Sequence, residues 1–458
     1  MTSTSCNQIA REILNQCLAG RPPAELPPAL LDDPGGQALF GILVEGLADR
    51  FEPALCDLYA RLFSQAVAHV AEHVDPTLLV ARYQRVRRPR PISGEPHRVF
   101  VLSRVTLGAD VAVTSVLLAA AKQRFPHAEI VFVGPRKNYE LFAGDPRLRH
   151  ADMSYRRGGL RERLAVWDPL KALLAAPDSV VIDPDSRLTQ LGLLPVCPED
   201  AYHLFESRGY GRETDRSLPD LAAAWAEETF GISGAKPYVA LSRISHTPPA
   251  DVARALVPAV SRLISTRVRA GDEMSHASVG MSADAAGKSA RATSSDSNTC
   301  EEVGLERSVA GGHTAVSLGV GDNPAKRIPD PFEERLLALL AAGGAALVID
   351  KGAGGEEAAR VELAVQRSGV QAAFWEGSFA GFAALIAASR VYVGYDSAGQ
   401  HVAAACGVPL VAIFAGFAAP RMFHRWRPTG ERTTVIRVDR PDPLETLERV
   451  RAAIAAAS

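Results

Sequence analysis

The chain has 458 residues, of which 47% are hydrophobic and 22% charged, and a formal net charge of −2. At roughly 150 residues per domain, this length predicts about three domains. The composition excludes wholesale disorder and collagen-like repeats. The balance of charges argues against nucleic acid as a partner, because polyanion binders carry a large basic excess.

Targeting and metal-binding signals are absent from the sequence. The N-terminus lacks the charged and apolar regions of a signal peptide. No apolar run approaches the ~18 residues of a membrane-spanning helix. The six cysteines are scattered without a C-x-x-C pair, which argues against a disulfide framework and a structural zinc site. We therefore expect a soluble, cytoplasmic protein with no metal and no cofactor.

Residues 1–92 have the pattern of a helical N-terminal extension without strands. Apolar residues recur at spacings of three and four, as in Leu55, Leu58 and Leu62. The extension ends in a run of arginines and prolines over 82–91. We expect this run to be a solvated linker; peripheral contact with the inner membrane is the alternative.

Residues 93–235 predict a first Rossmann-like domain. Short β-branched and aromatic runs at 99–102, 130–134 and 179–183 alternate with helical stretches. This alternation is typical of a parallel sheet that is covered by helices on both faces.

Residues 236–458 predict a second Rossmann-like domain, with a cleft between the two at the carboxyl ends of the strands. We expect a disordered insertion at about 243–313, which is rich in small polar residues. We also expect the last helix, 443–457, to pack back on the first domain. Strands are predicted at 238–242, 314–318, 346–349, 391–394, 410–414 and 434–438.

Ser397 follows a predicted strand within Asp396-Ser397-Ala398-Gly399, as the nucleophile of an esterase does. Tyr395 stands at the first glycine position of that motif. No acidic residue lies between Ser397 and His424, the only later histidine. A serine esterase is therefore an alternative that the sequence leaves open.

Three loops together suggest a different chemistry. Asp110 follows Gly108-Ala109 at the start of a helix, where it either caps the helix or accepts a proton from a sugar hydroxyl. The glycine-rich turn at 319–321 leads to Lys326 and Arg327, two cations suited to a diphosphate. The turn after 391–395 starts a helix whose free N–H groups would point at an anion.

The turn from Asp396 to Pro409 resembles the D-[TS]-G-x-x-H-x-A-x-A-x-G-x-P signature of the ADP-heptose:lipopolysaccharide heptosyltransferases, glycosyltransferase family 9, which have the GT-B fold. The segment around Lys326 resembles that family's S-K-R-W-P loop. The segment from Gly108 to Thr114 resembles its G-D-V-x-x-T turn, with Ala109 as an additional residue.

The resemblance implies a GT-B architecture of two tandem Rossmann-like domains, of which 93–235 would bind the acceptor and 236–458 the nucleotide-sugar donor. It also implies a role for each matching residue. Asp110 would be the base that deprotonates the acceptor hydroxyl, and Lys326 would hold the donor diphosphate. Glu356 or Glu357 would bind the ribose. The donor-binding residues implied in this way are Lys326, Arg327, Glu356, Glu357, Asp396, Ser397, Ala398, Gly399, Gln400 and His401.

The sequence therefore predicts an inverting, metal-independent glycosyltransferase. The expected donor is a nucleotide-diphosphate sugar, ADP-heptose, and the expected acceptor is a lipopolysaccharide-like or other glycan or a glycolipid. Two alternatives stay open: a non-catalytic nucleotide-sugar-binding protein of the same fold, and a serine esterase that uses Ser397.

Overall fold

A computed structural model describes residues 3–71, 73–212, 214–242, 312–321, 323–352 and 354–457. All but the last two residues of the insertion expected over 243–313 lie outside these ranges. The described chain contains one five-stranded and one six-stranded sheet, both parallel. No helix in the described part of the chain is long and apolar enough to cross a membrane.

The first 86 residues form helices. A π-helical stretch, Gln37–Val44, continues directly into the third α-helix. The α-helices are α1 Ser3–Leu18, α2 Pro28–Leu31, α3 Glu45–Ala48, α4 Pro53–Val70 and α5 Pro76–Val86.

The first sheet has the strand order β3-β2-β1-β4-β5. The sequence predicted its central strands but missed β3 and β5, which lie at the two edges and are short or polar. The strands are β1 Arg98–Leu102, β2 Glu129–Gly134, β3 Leu148–Asp152, β4 Ser179–Asp183 and β5 Tyr202–Leu204.

Helices between these strands carry the chain across the sheet. They are α6 Leu107–Ala109, α7 Ser115–Arg124, α8 Arg136–Tyr139, α9 Leu160–Leu164 and α10 Trp167–Leu174, with α11 Leu218–Phe230 after β5. A π-helical turn, Asp110–Thr114, joins α6 to α7.

The N-terminal extension packs on one face of the first sheet, together with α9 and α10. Side chains alternate along β1, so Val99 and Val101 pack with α7 and α11, whereas Phe100 and Leu102 face the other way. On that second face they share a core with α4 and α5. The extension is therefore part of the helical layer that covers this face.

The arginines of the run at 82–91 bind this sheet region. Arg82 is buried and donates to the carbonyl oxygen of Gly192 at 3.0 Å. Arg87 pairs with Glu206 at 2.9 Å, and Arg90 donates to the carbonyl oxygen of Tyr202 at 3.0 Å. The expected solvated linker is thus wrong for these residues, because their charges are used within the chain.

The second sheet has the strand order β11-β10-β9-β6-β7-β8. Its strands are β6 His313–Ser317, β7 Ala346–Asp350, β8 Ala372–Trp375, β9 Val391–Tyr395, β10 Leu410–Phe414 and β11 Thr433–Arg437. Its helices are α12 Phe332–Ala342, α13 Gly355–Ser368, α14 Phe379–Ala387, α15 Ala398–Ala405, α16 Pro420–Trp426 and α17 Pro443–Ala457.

Two predicted elements differ from the structure. Residues 238–242 form no strand; instead the N–H of Ala240 donates to the carbonyl of Leu141 and its carbonyl accepts from Gly144, at 2.8 and 2.7 Å. The last helix, α17, packs on α12, β10 and β11 of its own domain. Helix α16 does contact the first domain: its buried Arg425 donates to the carbonyl oxygens of Arg212 and Arg216.

We expect Phe63→Ala in α4 to lower the free energy of unfolding of the whole first domain by about 3–5 kcal/mol. Phe63 is 2% exposed and its ring centroid lies 5.3 Å from that of Tyr59. All four tryptophans follow residue 92, so urea unfolding monitored by tryptophan fluorescence reports on the rest of the chain.

The matched control is Leu78→Ala in α5, since Leu78 is 68% exposed. It should leave the transition in place. An unchanged fluorescence transition in Phe63→Ala would mean that the extension unfolds independently of the sheet.

Candidate active site in the interdomain cleft

The two domains meet where the loop after β1 touches the start of α15. A Cβ added at Gly108 would lie 3.1 Å from the Cα of Ala398 and 3.2 Å from the Cδ2 of His401. Such distances are tighter than most Cβ contacts, so a side chain at this position would require Ala398 or His401 to shift by a few tenths of an ångström. Both elements follow the carboxyl ends of central parallel strands, which is where open α/β sheets bind ligands.

Asp110 is fully buried behind this contact. Each of its carboxylate oxygens accepts two hydrogen bonds: Oδ1 from the N–H of Arg104 and from Thr114, Oδ2 from Ser103 and Asn138, all at 2.6–2.7 Å. A carboxylate offers about four acceptor positions, so all of them are occupied. Burial raises the pKa of Asp110. Its role as the base stays a prediction.

Lys326 and Asp396 form the electrostatic centre of the second domain's site. Lys326 Nζ lies 2.8 Å from Asp396 Oδ2 and donates to the Asp396 carbonyl oxygen at 3.2 Å. Gln400 Nε2 donates to the other carboxylate oxygen of Asp396. The first turn of α15 and the loop after β6 are therefore joined through one carboxylate, with an ammonium group in front of the helix N-terminus.

His401 is buried on the same turn of α15, and its ring centroid lies 6.1 Å from that of Trp426. Burial lowers the pKa of His401 to about 4, although Asp396 opposes this shift. The imidazole is therefore neutral near pH 7. The positive charge beside Asp396 therefore comes from Lys326, whereas His401 contributes a neutral ring that packs against Gly108.

The other predicted cation, Arg327, turns away from the cleft. Its guanidinium pairs with Asp330 and, at 3.2 Å, with Glu333 on α12. The sequence predicted that both cations bind the donor, but the structure places them apart. Lys326 lies at the start of α15, whereas Arg327 connects its own loop to α12.

The two predicted ribose-binding carboxylates also differ in their surroundings. Glu357 Oε2 accepts from the N–H groups of Val320 and Gly321, at 2.9 and 3.2 Å. Glu356 is exposed on the same first turn of α13. Glu357 therefore holds the glycine-rich turn in place, and Glu356 is the carboxylate that is open to solvent.

Ser397, Ala398 and Gly399 shape the helix start. A Cβ added at Gly399 would collide with the Tyr392 hydroxyl, so this position needs a glycine. Ser397 Oγ lies 3.2 Å from that same hydroxyl. Within the described residues Ser397 forms no hydrogen bond with a histidine, so the arrangement of a serine esterase is not present there.

A small cavity, of about 40 Å³, lies where the extension, the first domain and α16 meet. No local motif marks its residues, because they come from distant parts of the chain and only the fold joins them; the sequence analysis therefore missed them. Its walls include Asp49, Arg104, Asp185, Arg187, Arg208 and Trp426.

Two facing α/β domains, each built on a parallel sheet, define the GT-B architecture of glycosyltransferases. Residues 288–452 match the family model described as glycosyltransferase family 9 (heptosyltransferase). This match lies in the C-terminal domain; it confirms the resemblance and supports the predicted enzyme class.

Several solved structures are similar to this chain at low identity. The E. coli heptosyltransferase WaaC with ADP is 14% identical, with a TM-score of 0.51, over 79% of this chain and 100% of that one. A family 9 glycosyltransferase from Veillonella parvula is 13% identical over 79% and 90%, with a TM-score of 0.48. E. coli ADP-heptose heptosyltransferase II is 18% identical over 78% and 99%, with a TM-score of 0.46. No curated protein sequence matches the chain.

We expect His401→Gln to remove part of the loss of stability in acid. The folded-state pKa of His401 is depressed to about 4, so between pH 6.5 and 4 the unfolded state binds more protons and wild-type stability falls as pH falls. The contribution of one histidine is at most about 3 kcal/mol.

Urea unfolding of wild type and His401→Gln at pH 7 and at pH 4.5 would measure this difference. His203, whose pKa is also lowered to about 4 by burial, is unchanged in both proteins and cancels. Equal pH slopes would mean that His401 is not buried in its neutral form.

Proposed function

We propose that this chain is an inverting, metal-independent glycosyltransferase that transfers a sugar from a nucleotide-diphosphate donor to a hydroxyl of a lipopolysaccharide-like glycan or glycolipid. ADP-heptose is the expected donor. The observation that carries the proposal is Lys326, held 2.8 Å from Asp396 in front of the N-terminus of α15, within a family 9 domain.

The geometry favours a diphosphate as the group bound there. Helix N-termini attract anions through free N–H groups and the helix dipole. Lys326 is 20% exposed at its side chain, so its ammonium group can be reached from the cleft. Together these groups would stabilise the charge that develops on a leaving diphosphate. ADP is the nucleotide named for the similar E. coli structure, so it is the first to test.

The reaction would be a single displacement. A carboxylate takes the proton of the acceptor hydroxyl while its oxygen attacks the anomeric carbon from the face opposite the diphosphate. The bond to the diphosphate oxygen breaks, and the nucleoside diphosphate leaves with the electron pair. Attack from the opposite face inverts the anomeric configuration. Asp110 is the base that the resemblance implies.

A nucleotide-sugar binder without transferase activity is the second candidate, because the four hydrogen bonds of Asp110 occupy its lone pairs. Such a binder would bind the nucleotide as tightly as a transferase does but would form no glycoside product. Nuclear magnetic resonance of a reaction with ADP-heptose distinguishes the two, since a transferase yields a glycoside of inverted configuration.

We expect Lys326→Ala to weaken the binding of the preferred nucleoside diphosphate by about ten- to a hundred-fold, the usual cost of losing a charged hydrogen bond. Calorimetric titration with ADP, UDP, GDP and CDP, each with EDTA and with Mg²⁺, would measure this and identify the base. Affinity should be the same under both conditions.

Arg451→Ala is the matched control, because Arg451 is an exposed cation of the same domain that pairs with Glu448 on α17. It should bind like wild type. Failure of all four diphosphates to bind wild type would overturn the proposed donor site, and binding only with Mg²⁺ would overturn the metal-independent reaction.

A further inference from the structure

The two domains share one apolar core in the closed arrangement, in which the loop after β1 lies against α15. Helix α15 of the second domain packs on α6 and on the π-helical turn of the first. Val111 and Ala112 from this turn and Val402 and Ala403 from α15 are all buried in a single cluster of apolar side chains. Opening the cleft here would expose buried apolar surface to water, which is unfavourable.

Helix α16 makes a second, polar connection between the domains. Arg425 is fully buried, and its two terminal nitrogens donate to the carbonyl oxygens of Arg216 at 2.8 Å and of Arg212 at 2.9 Å, both between β5 and α11. Arg427, directly after the helix, donates to the carbonyl oxygen of Asp215 at 3.2 Å. Hydrogen bonds from a charged donor are stronger than neutral ones. Separation of the domains would have to break all three, because they start from one short segment.

The same helix also holds the N-terminal extension. Arg421 donates to the carbonyl oxygen of Phe51 at 3.0 Å. At the other end of α16, the ring centroid of Trp426 lies 6.3 Å from that of Phe51. Since the extension shares a core with the first sheet, it moves with the first domain. Helix α16 is thus bound to the first domain at two places, through the segment between β5 and α11 and through the extension.

The start of the connection between the domains is also bound to the first domain. The N–H of Tyr238 donates to Ser115 Oγ and its hydroxyl donates to Asp145, both at 3.1 Å. Lys122 Nζ lies 4.2 Å from the centroid of the same ring, and Ala240 pairs with the loop at 141–144. This part of the connection therefore follows the first domain and does not serve as a flexible hinge.

We propose that α16 is a latch that holds the two domains closed whether or not a nucleotide is bound. This inference goes beyond the proposed function, because it concerns the resting state of the chain and not the group that binds in the cleft. Domains within a chain move relative to each other unless a large apolar interface joins them, and many enzymes close around their ligands. Here the apolar contact and the latch fix the closed arrangement beforehand. A ligand that enters the cleft then does not have to bring the domains together.

Small-angle X-ray scattering of the whole chain, with and without ADP, measures the separation of the domains. The two wild-type profiles should coincide. Arg425→Met keeps a long, unbranched side chain but removes the hydrogen bonds to Arg212 and Arg216, so this variant without ADP should be more expanded than wild type. Arg432→Met, at an exposed arginine of the same domain, is the matched control and should scatter like wild type.

Hydrogen exchange followed by mass spectrometry locates the change. Residues 107–114 pack against α15, so their amides should exchange faster when the domains separate. In Arg425→Met without ADP we expect this exchange to become about ten- to a hundred-fold faster, the effect of losing a hydrogen bond to a charged group. Arg421→Ala, which removes the bond to Phe51, should have a smaller effect in the same direction. It takes the place of Arg425→Met should that variant not fold.

A wild-type profile that contracts on addition of ADP would reveal a hinge that closes on its ligand, and the latch would be wrong. Exchange at 107–114 that is as slow in both variants as in wild type would also overturn it, because the apolar contact alone would then hold the domains. The proposed function fails by a different result, the absence of calorimetric binding of any nucleoside diphosphate to wild type. In that case the comparison of the variants with wild type without ADP still decides the latch.

Discussion

The close approach of Gly108 to the first turn of α15 is the contact on which the site depends. Because position 108 has no side chain, the loop after β1 can lie against Ala398 and His401. The carboxyl ends of both sheets then face each other across a narrow gap. Trp426 closes this gap: its ring lies 6.3 Å from Phe51, 6.1 Å from His401 and 5.7 Å from the Arg104 guanidinium. One aromatic side chain thus joins the extension to both domains.

Central strands could be predicted from the sequence because burial on both faces makes them continuous apolar runs, as in β2 and β10. Edge strands carry no such run. In β3 the sequence LRHAD is mostly polar, and β5 has three residues. Residues 238–242 are apolar enough for a strand, yet they bind the loop at 141–144 instead of a sheet edge. An apolar pattern thus predicts that a segment is buried, but it does not predict which part of the chain the segment packs against.

In the candidate site, too, contacts within one local segment could be predicted, whereas contacts between distant segments could not. The contacts among Asp396, Gln400 and His401 arise within a single helix start, so a local motif indicates them. The partners of Arg327 and Glu357 depend on how α12 and the turn at 319–321 pack, which no local pattern specifies. The small cavity lined by Asp49, Arg104 and Trp426 could not be predicted at all, because its residues come from distant parts of the chain.

That packing has a consequence for synthesis on the ribosome. The extension emerges first, but the surface that covers its apolar side chains is completed much later in the chain: the Tyr59 hydroxyl binds the carbonyl oxygen of Gln190, 131 residues further on. Until then Leu55, Phe63 and their neighbours have no sheet to rest on. The helices of a newly made extension therefore expose their apolar faces during most of the translation of the first domain. Chaperone binding matters most in this interval.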